Sequence, residues 1–368
     1  MKLFDPRFGL VVSRDGIDVT DVFLEAAERI QFSQSMGEID LIKATLSNPY
    51  HSATRKKVFQ PGGVIELWAG WNQEVLSFLG AGEIDDWLGR FTTMDMPKIE
   101  IVAHGGGIKL TRSKDDYMFI DRPLSEAAKD IANKHKFMSD IDPTTSRSNY
   151  AKQSGTNDWE WLSGLAGLVG YDFFVKWDVN AKNWVLHWHD QRSEQDSVYI
   201  FKFNQDSQQS TLYSIDISYG INYESYDQIK LWAWNGEEYI EIKTEDALLV
   251  TDYSDPASQD VTFFPDEYSK LRIGIDDSAF DIPLDTSILN ADEAFVYADN
   301  YLKQMKRQLI TATGKIIGIE DLAPRQVHRI EGIEQFSGDW FFTKVDHIFD
   351  SNGYNCTFSA NRVLVDDK

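Results

Sequence analysis

Over the first 110 or so residues, apolar and β-branched side chains recur in short runs separated by turn signals, the pattern of β-strands. Arg29 to Ser35 and Glu38 to Leu46 flank Met36-Gly37 as one hairpin, and Val64 to Trp71 and Glu74 to Ile84 flank Asn72-Gln73 as another. Lys98 to Ala103 is a further strand. Ile65, Leu67 and Ala69 alternate with Glu66, which predicts one covered face and one wetter face. Strands at this spacing predict a barrel or a sandwich. From about 115 to 192 the period changes to mixed α and β. Pro123 suits a first helical position, ahead of a stripe of Leu124, Ala127, Ala128, Ile131 and Ala132. Phe173 to Trp177 and Trp184 to His189 predict a hairpin around Asp178 to Asn183. The β-pattern returns from Val198 to about Tyr219. Residues 231–289 read as short Asp-rich strands broken at Asp255-Pro256, Phe264-Pro265 and Ile282-Pro283. Asn290 and Glu293 predict the capped start of the longest helix, with a stripe of Ala294, Ala298, Tyr301, Leu302, Met305 and Leu309. Lys303, Lys306 and Arg307 complement its C-terminal half, and from Gly314 the chain is β to its end.

Two stretches carry more than their secondary structure. Trp340 to Phe349 and Tyr354 to Ala360 are aromatic and β-branched runs joined by Asp350-Ser351-Asn352-Gly353, whose Asn-Gly suits a hairpin turn. Gln153 to Tyr171 predicts a helix capped by Asn157 or Asp158, with Glu160 in its first turn and Gly170 as its left-handed stop. Its buried stripe is Trp159, Leu162, Leu165, Ala166 and Val169. Trp159, Leu162, Trp340, Tyr354 and Phe358 are the residues expected to determine the fold.

The pattern Ser-Gly-x-Trp at 337–340, Val-x-His at 345–347, Asn-Gly-Tyr at 352–354 and a final Arg362 resembles the closing hairpin of the trimeric baseplate hub family of contractile phage tails. That family includes the phage late control protein D and the hub half of type VI spike proteins. The Gln, Asp-Trp, Leu-x-x-Leu-Ala and Gly-Tyr series of the 153–171 helix resembles the family's internal signature. The resemblance implies a mainly β fold with α+β insertions, in which two β-barrel domains of hub type are interrupted by an α/β domain and a small third insert. The implied units are 1–112 for the first barrel, 113–192 for the α/β domain, 193–230 with 310–368 for the second barrel, and 231–309 for the small insert and connecting helix. It further implies a structural, non-enzymatic virion protein without cofactor, located in the tail baseplate and assembled in the host cytoplasm. Its implied partners are two more copies of itself, the tail tube ring, the central spike, other baseplate proteins and the tape measure protein, with DNA passing only through the lumen. A spike is expected to be encoded separately, since no spike-like extension follows Arg362.

Composition adds constraints. At 368 residues the chain exceeds one ordinary core and should hold two to four domains. Apolar content of 42% with 13% aromatic marks a folded protein, and eleven Trp with fifteen Tyr favour β-rich architecture. A net charge of −23 argues against nucleic-acid binding, which needs clustered Lys and Arg, and fits a surface past which DNA slides. Cys356 stands alone, so no disulfide framework forms within a monomer and a reducing compartment is expected. The first residues lack the apolar run of a secretory signal, and no apolar run approaches the roughly 20 residues of a membrane helix.

The chemical motifs are sparse. His187 and His189 lie two apart and share a strand face, but no Cys or clear His-Glu partner stands near them for a metal. They read as the wetter face of a strand that carries Trp184, Leu186 and Trp188 on its other side. His104-Gly105-Gly106-Gly107 resembles an esterase oxyanion loop, yet no Gly-x-Ser-x-Gly elbow exists, so the glycines read as a flexible turn. Gly164 and Gly167 read as close-packing positions within a helix, and Asp276, Asp277, Asp281 and Asp285 as a solvated acidic loop. Two other classes stay open. One is a tail-associated enzyme degrading cell-wall glycan, and the other is a β-rich glycan-binding module with Trp platforms.

Overall fold

The computed structural model describes residues 9–363 except 73–74, 94, 145–146, 153–154, 191–198, 205–209, 220–227, 235–238, 244–278 and 284–309. The predicted long helix from Asn290, its flanking Lys303, Lys306 and Arg307, and Asp276, Asp277 and Asp285 fall outside the described residues. Asp281 lies on a described strand.

The first unit runs β1 Gly9–Arg14, β2 Ile17–Asp18, α1 Thr20–Ala26, β3 Ala27–Ser35, β4 Leu41–Ser47, β5 Val64–Asn72, β6 Val75–Arg90, β7 Lys98–His104 and the short α2 Ile108–Thr111. Both predicted hairpins form, and Gly37 takes the positive φ that the β3–β4 turn requires. The inserted unit follows with β8 Tyr117–Pro123, α3 Leu124–Lys134, β9 Met138–Ile141, β10 Arg147–Lys152, α4 Asp158–Val169, β11 Tyr171–Asp178 and β12 Asn183–Asp190. The remaining described strands are β13 Ile200–Lys202, β14 Leu212–Tyr219, β15 Gln228–Trp234, β16 Tyr239–Lys243, β17 Ala279–Pro283, β18 Ile310–Ile317, β19 Val327–Glu331, β20 Gly338–Asp350 and β21 Gly353–Arg362. The protein is mainly β with an α/β insertion, and among the described residues no helix is long and apolar enough to cross a membrane.

Strands from both ends of the chain join one thirteen-stranded sheet among the described residues, ordered β14-β18-β21-β20-β3-β4-β7-β6-β5-β1-β2, with β13 and β19 branching from β20. The joint is β20. Its first half pairs with β19 and its second half with β3, while β21 runs along its other edge. The described ladder is open, and no pairing among these strands closes either end into a separate barrel. The apolar faces of both halves merge in one core from Leu10 to Ala360, because a sheet continuous across the β3–β20 pair presents a continuous apolar face. β15, β16 and β17 form a separate three-stranded sheet.

The closing hairpin turns as its sequence suggests, by a different device. Only Gly353 takes a positive φ, and the Asp350 carboxylate accepts the Asn352 N–H at 2.8 Å. Within β20 the buried positions run Trp340, Phe342, then Val345, His347 and Phe349. The register shift between Phe342 and Lys344 is a β-bulge that turns both sets of rings into the core. Phe342 stacks on Phe358 at 4.4 Å, and Phe349 on Tyr354 at 4.5 Å.

The inserted unit has its own core, in which the α3 stripe packs with α4 and the β11–β12 hairpin. Pro123 stands at the N-cap of α3 with extended backbone, one place earlier than expected. The Asn157 side chain accepts the Glu160 N–H at 2.8 Å, and Gly170 ends α4 at φ 69°. Asn157→Ala should therefore lower stability by roughly 1 kcal/mol, read as a shift of the urea midpoint, whereas Asn157→Ser should cost little. Trp159 and Leu162 are buried, and so is Trp161, whose ring stacks on Phe119 at 5.4 Å. The close-packing role expected of Gly164 and Gly167 is corrected: among the described residues, a Cβ at either would meet no atom within 4 Å beyond its own helix backbone and chain neighbours.

Candidate functional site

The described polar side chains converge where the inserted unit seats on the large sheet. The Glu66 face of β5, expected to be wet, is covered by this unit. Glu66 is buried and accepts hydrogen bonds from Trp177 Nε1 at 2.8 Å, Lys182 Nζ at 2.6 Å and Ser13 Oγ at 3.0 Å. Burial disfavours its charge, but these three donors, Lys182 first, outweigh it and hold the carboxyl below its ordinary range. Beside it the 104–107 segment is no loose turn. Gly105 to Gly107 are buried, and a Cβ on Gly106 would lie 2.4 Å from the Trp184 ring. The absence of side chains lets Trp184 of β12 and Trp159 of α4 rest on the backbone of this turn.

The other half of the large sheet reaches the inserted unit through Arg325. Its guanidinium forms a two-pronged ion pair with Asp172 on β11 and lies 4.0 Å from the Phe174 ring centre. Its backbone N–H donates to Phe342 O at 2.8 Å, which ties the clamp to β20. Lys176 and Asp40 lie in the same narrow crevice, with Trp159 and Glu38. Burial pushes the Asp40 carboxyl up against the pull of Lys176, a Gln34 hydrogen bond and Arg325, and burial pushes Lys176 down.

Phe174 lies between Arg325 and His187, whose ring stacks on it at 4.7 Å and 13°. Here the structure supplies what the local sequence does not display. β9 pairs in parallel with β12, setting Asp140 opposite His187. His187 Nδ1 and His189 Nε2 each lie 3.1 Å from Asp140 Oδ2, and His189 Nδ1 lies 3.1 Å from Asp142 Oδ2. Burial, partly offset by Asp140, pushes His187 down to about 4, so this ring is neutral near pH 7. Trp184, Leu186 and Trp188 on the opposite face are buried. Asp140 was missed because it lies 47 residues before His187, and only a parallel crossover joins them.

Trp340, Tyr354 and Phe358 lie in the large core, far along the chain from this cluster, and are buried. Beside them His347 is sealed in, its Nδ1 accepting from Tyr354 Oη at 2.7 Å and its Nε2–H donating to Leu322 O at 3.0 Å. Cys356 Sγ lies 3.4 Å from His347 Nδ1, and burial pushes the thiol up to about 12, so it is an inert core thiol.

The architecture has solved counterparts in one class, phage-tail and type VI secretion proteins. A tail protein from Neisseria meningitidis superposes with a TM-score of 0.68 at 11% identity, covering 96% of each chain. The 43 kDa tail protein of prophage MuSo2 from Shewanella oneidensis gives 0.66 at 12% identity, covering 96% of this chain and 98% of that one. An Escherichia coli type VI secretion component, described as structurally similar to bacteriophage T4 tail proteins, gives 0.55 at 10% identity over 96% of this chain and 77% of its own. No protein-family model and no curated protein sequence matches the chain. At such identities the likeness establishes the fold, and the fold is that of these tail proteins.

Proposed function

We propose that the chain is a structural tail-tip protein, a homotrimeric baseplate hub of a phage tail or related contractile injection machine. The observation that carries this reading is the likeness of fold to a tail protein over 96% of both chains. On this reading each chain contributes two barrel-like halves, 1–112 and 193–230 with 310–368, fused across β3 and β20. Three chains would then present six similar units, so that one face matches a hexameric tube and the other a threefold spike. The clamps at Glu66 and Arg325 would keep the inserted unit from swinging when the ring is loaded. Exposed Leu88, Phe91 and Met96 around the β6–β7 connection, and Met118 and Ile120 on β8, are the apolar surfaces available for contacts between copies or with other baseplate proteins. The net charge of −23 suits a lumen that repels the phosphate of passing DNA. Within this reading the protein works in the virion tail baseplate, after assembly in the host cytoplasm, as a scaffold with no catalytic role.

The reading as a glycan-binding module with Trp platforms loses support from the burial of Trp159, Trp161, Trp184, Trp188 and Trp340. Light scattering tests the hub directly. Three copies of the 42.1 kDa chain, forming a ring with a central hole in negative stain, are expected. A compact monomer that ignores candidate tube and spike proteins would overturn it.

A further inference from the structure

We propose that Asp140, His187 and His189 form a binding site for one divalent transition-metal ion of the zinc class, with Asp142 positioning His189 from behind. The proposal is independent of the hub reading and rests on three observations.

The first is spacing. One candidate ligand atom from each of the three residues falls within 4.8 Å of the other two. The Asp140 oxygen stands 3.1 Å from a nitrogen of each histidine. Two ligands held at 2.0–2.1 Å on a tetrahedral zinc ion are about 3.3 Å apart, so the two Asp140 spacings fit as they stand and the histidine nitrogens, within 4.8 Å of each other, are the pair that closes on the ion. Two imidazoles and one carboxylate are a sufficient protein set for such an ion, with solvent completing the coordination.

The second is a proton count. His189 faces a carboxylate oxygen at 3.1 Å from each of its ring nitrogens, Asp140 at Nε2 and Asp142 at Nδ1. A neutral imidazole carries one N–H and can donate to only one of them, so the other contact sets two lone pairs against each other. Asp142 is the better-held acceptor: its carboxylate takes the Asp190 N–H at 3.3 Å, and its own N–H donates to Trp188 O at 2.8 Å. With the proton on Nδ1, the Nε2 lone pair is turned toward Asp140, the position in which both can ligate one ion. This is the carboxylate–histidine–metal arrangement, in which the outer carboxylate selects the tautomer of the ligand.

The third is placement. β9 is a four-residue edge strand carrying one ligand, and β12 carries the other two on its outward face. Phe174 backs the site and fixes the His187 ring by stacking. An ion there would cross-link β9 to β12 by side chains, in addition to the backbone pairing between them. Nearby positive charge comes from Lys176, which bears on His187, and from Arg325 beyond the Phe174 ring, where Asp172 is its partner.

The test uses the full chain, stripped with EDTA and dialysed. Zinc titrated by calorimetry, with zinc per chain counted by mass spectrometry, should give one ion per chain and raise the melting temperature. His187→Ala and His189→Ala should each weaken binding at least tenfold, and Asp142→Asn by 10–100-fold. The metal-free variants should melt where the metal-free parent does. Cobalt in the unaltered chain provides a readout that needs no variant, namely visible bands of nitrogen and oxygen ligation without a thiolate charge-transfer band. No binding by the parent, binding indifferent to the three substitutions, or a thiolate band placing the metal at Cys356 would each overturn the proposal.

Discussion

Trp340→Ala is expected to cost on the order of 3–5 kcal/mol of stability, the range for deleting a fully buried large aromatic side chain. Trp340 has no exposed surface, and its indole N–H donates to Phe336 O at 3.2 Å. It pairs across the hairpin with Arg362, whose guanidinium lies 5.5 Å from the ring centre and donates to Asp339 O and Ser337 O. Removing the ring therefore opens a cavity, orphans a carbonyl and loosens the end of β21. The position amplifies the effect, because β20 holds β19, β21 and β3 together, and β3 leads into the other half of the sheet. Urea unfolding followed by far-UV circular dichroism measures it. Trp340→Phe should recover most of the loss. A cost below about 1 kcal/mol would mean that the closing strand does not hold the sheet as described.

The second large effect is acid sensitivity well above the carboxylate range. His328 and His347 have no exposed surface, and burial pushes both down to about 4, against an ordinary value of 6.5. The sign follows from proton binding. Between about 6.5 and 4 the unfolded chain takes up a proton at each residue and the folded chain does not, so acid favours unfolding. Full stability is present above 6.5 and is lost as pH falls toward 4, each residue contributing up to about 1.4 kcal/mol per pH unit. The geometry supports the neutral forms. His347 spends its single N–H on Leu322 O and accepts from Tyr354, while His328 Nδ1 is buried with no hydrogen-bond partner among the described residues, so a proton there would lack an acceptor. Glu28 and Glu66 are held below 4.5 and contribute loss only beneath that value, which separates the two effects. Melting temperatures from pH 7.5 to 4.5 should fall steeply below about 6.5, and the double variant His328→Phe with His347→Gln should flatten the slope. A profile already flat in the parent chain would refute this account.

Local patterns made a good part of this protein legible. The α3 stripe, the Asn157 cap and Gly170 stop of α4, and the Asn-Gly turn of the closing hairpin are short-range signals, and each acts within a few residues. What escaped is non-local. Alternation at Ile65–Ala69 marks a covered and an uncovered face, but nothing near Glu66 reveals that Trp177 and Lys182, over 100 residues later, cover the second face. The glycines after His104 look loose until Trp184 is seen to occupy the missing Cβ space. The bulge at Thr343 is invisible in an aromatic-rich run, because rings at either parity look equally apolar.

The sequence by itself determined the main strands and the α3 and α4 helices, the change from β to α/β and back, and many of the residues that fill the cores, though not the short helices α1 and α2. Periodicity and capping depend on neighbours along the chain, so the order of residues contains them. Tertiary structure alone decided that β3 and β20 fuse the two ends of the chain into one sheet, that Arg325 and Glu66 clamp the insert to it, and that Asp140 joins His187 and His189. Those outcomes depend on which strand edges meet, and strand pairing across tens to hundreds of residues is selected by burial of whole faces, not by any local pattern.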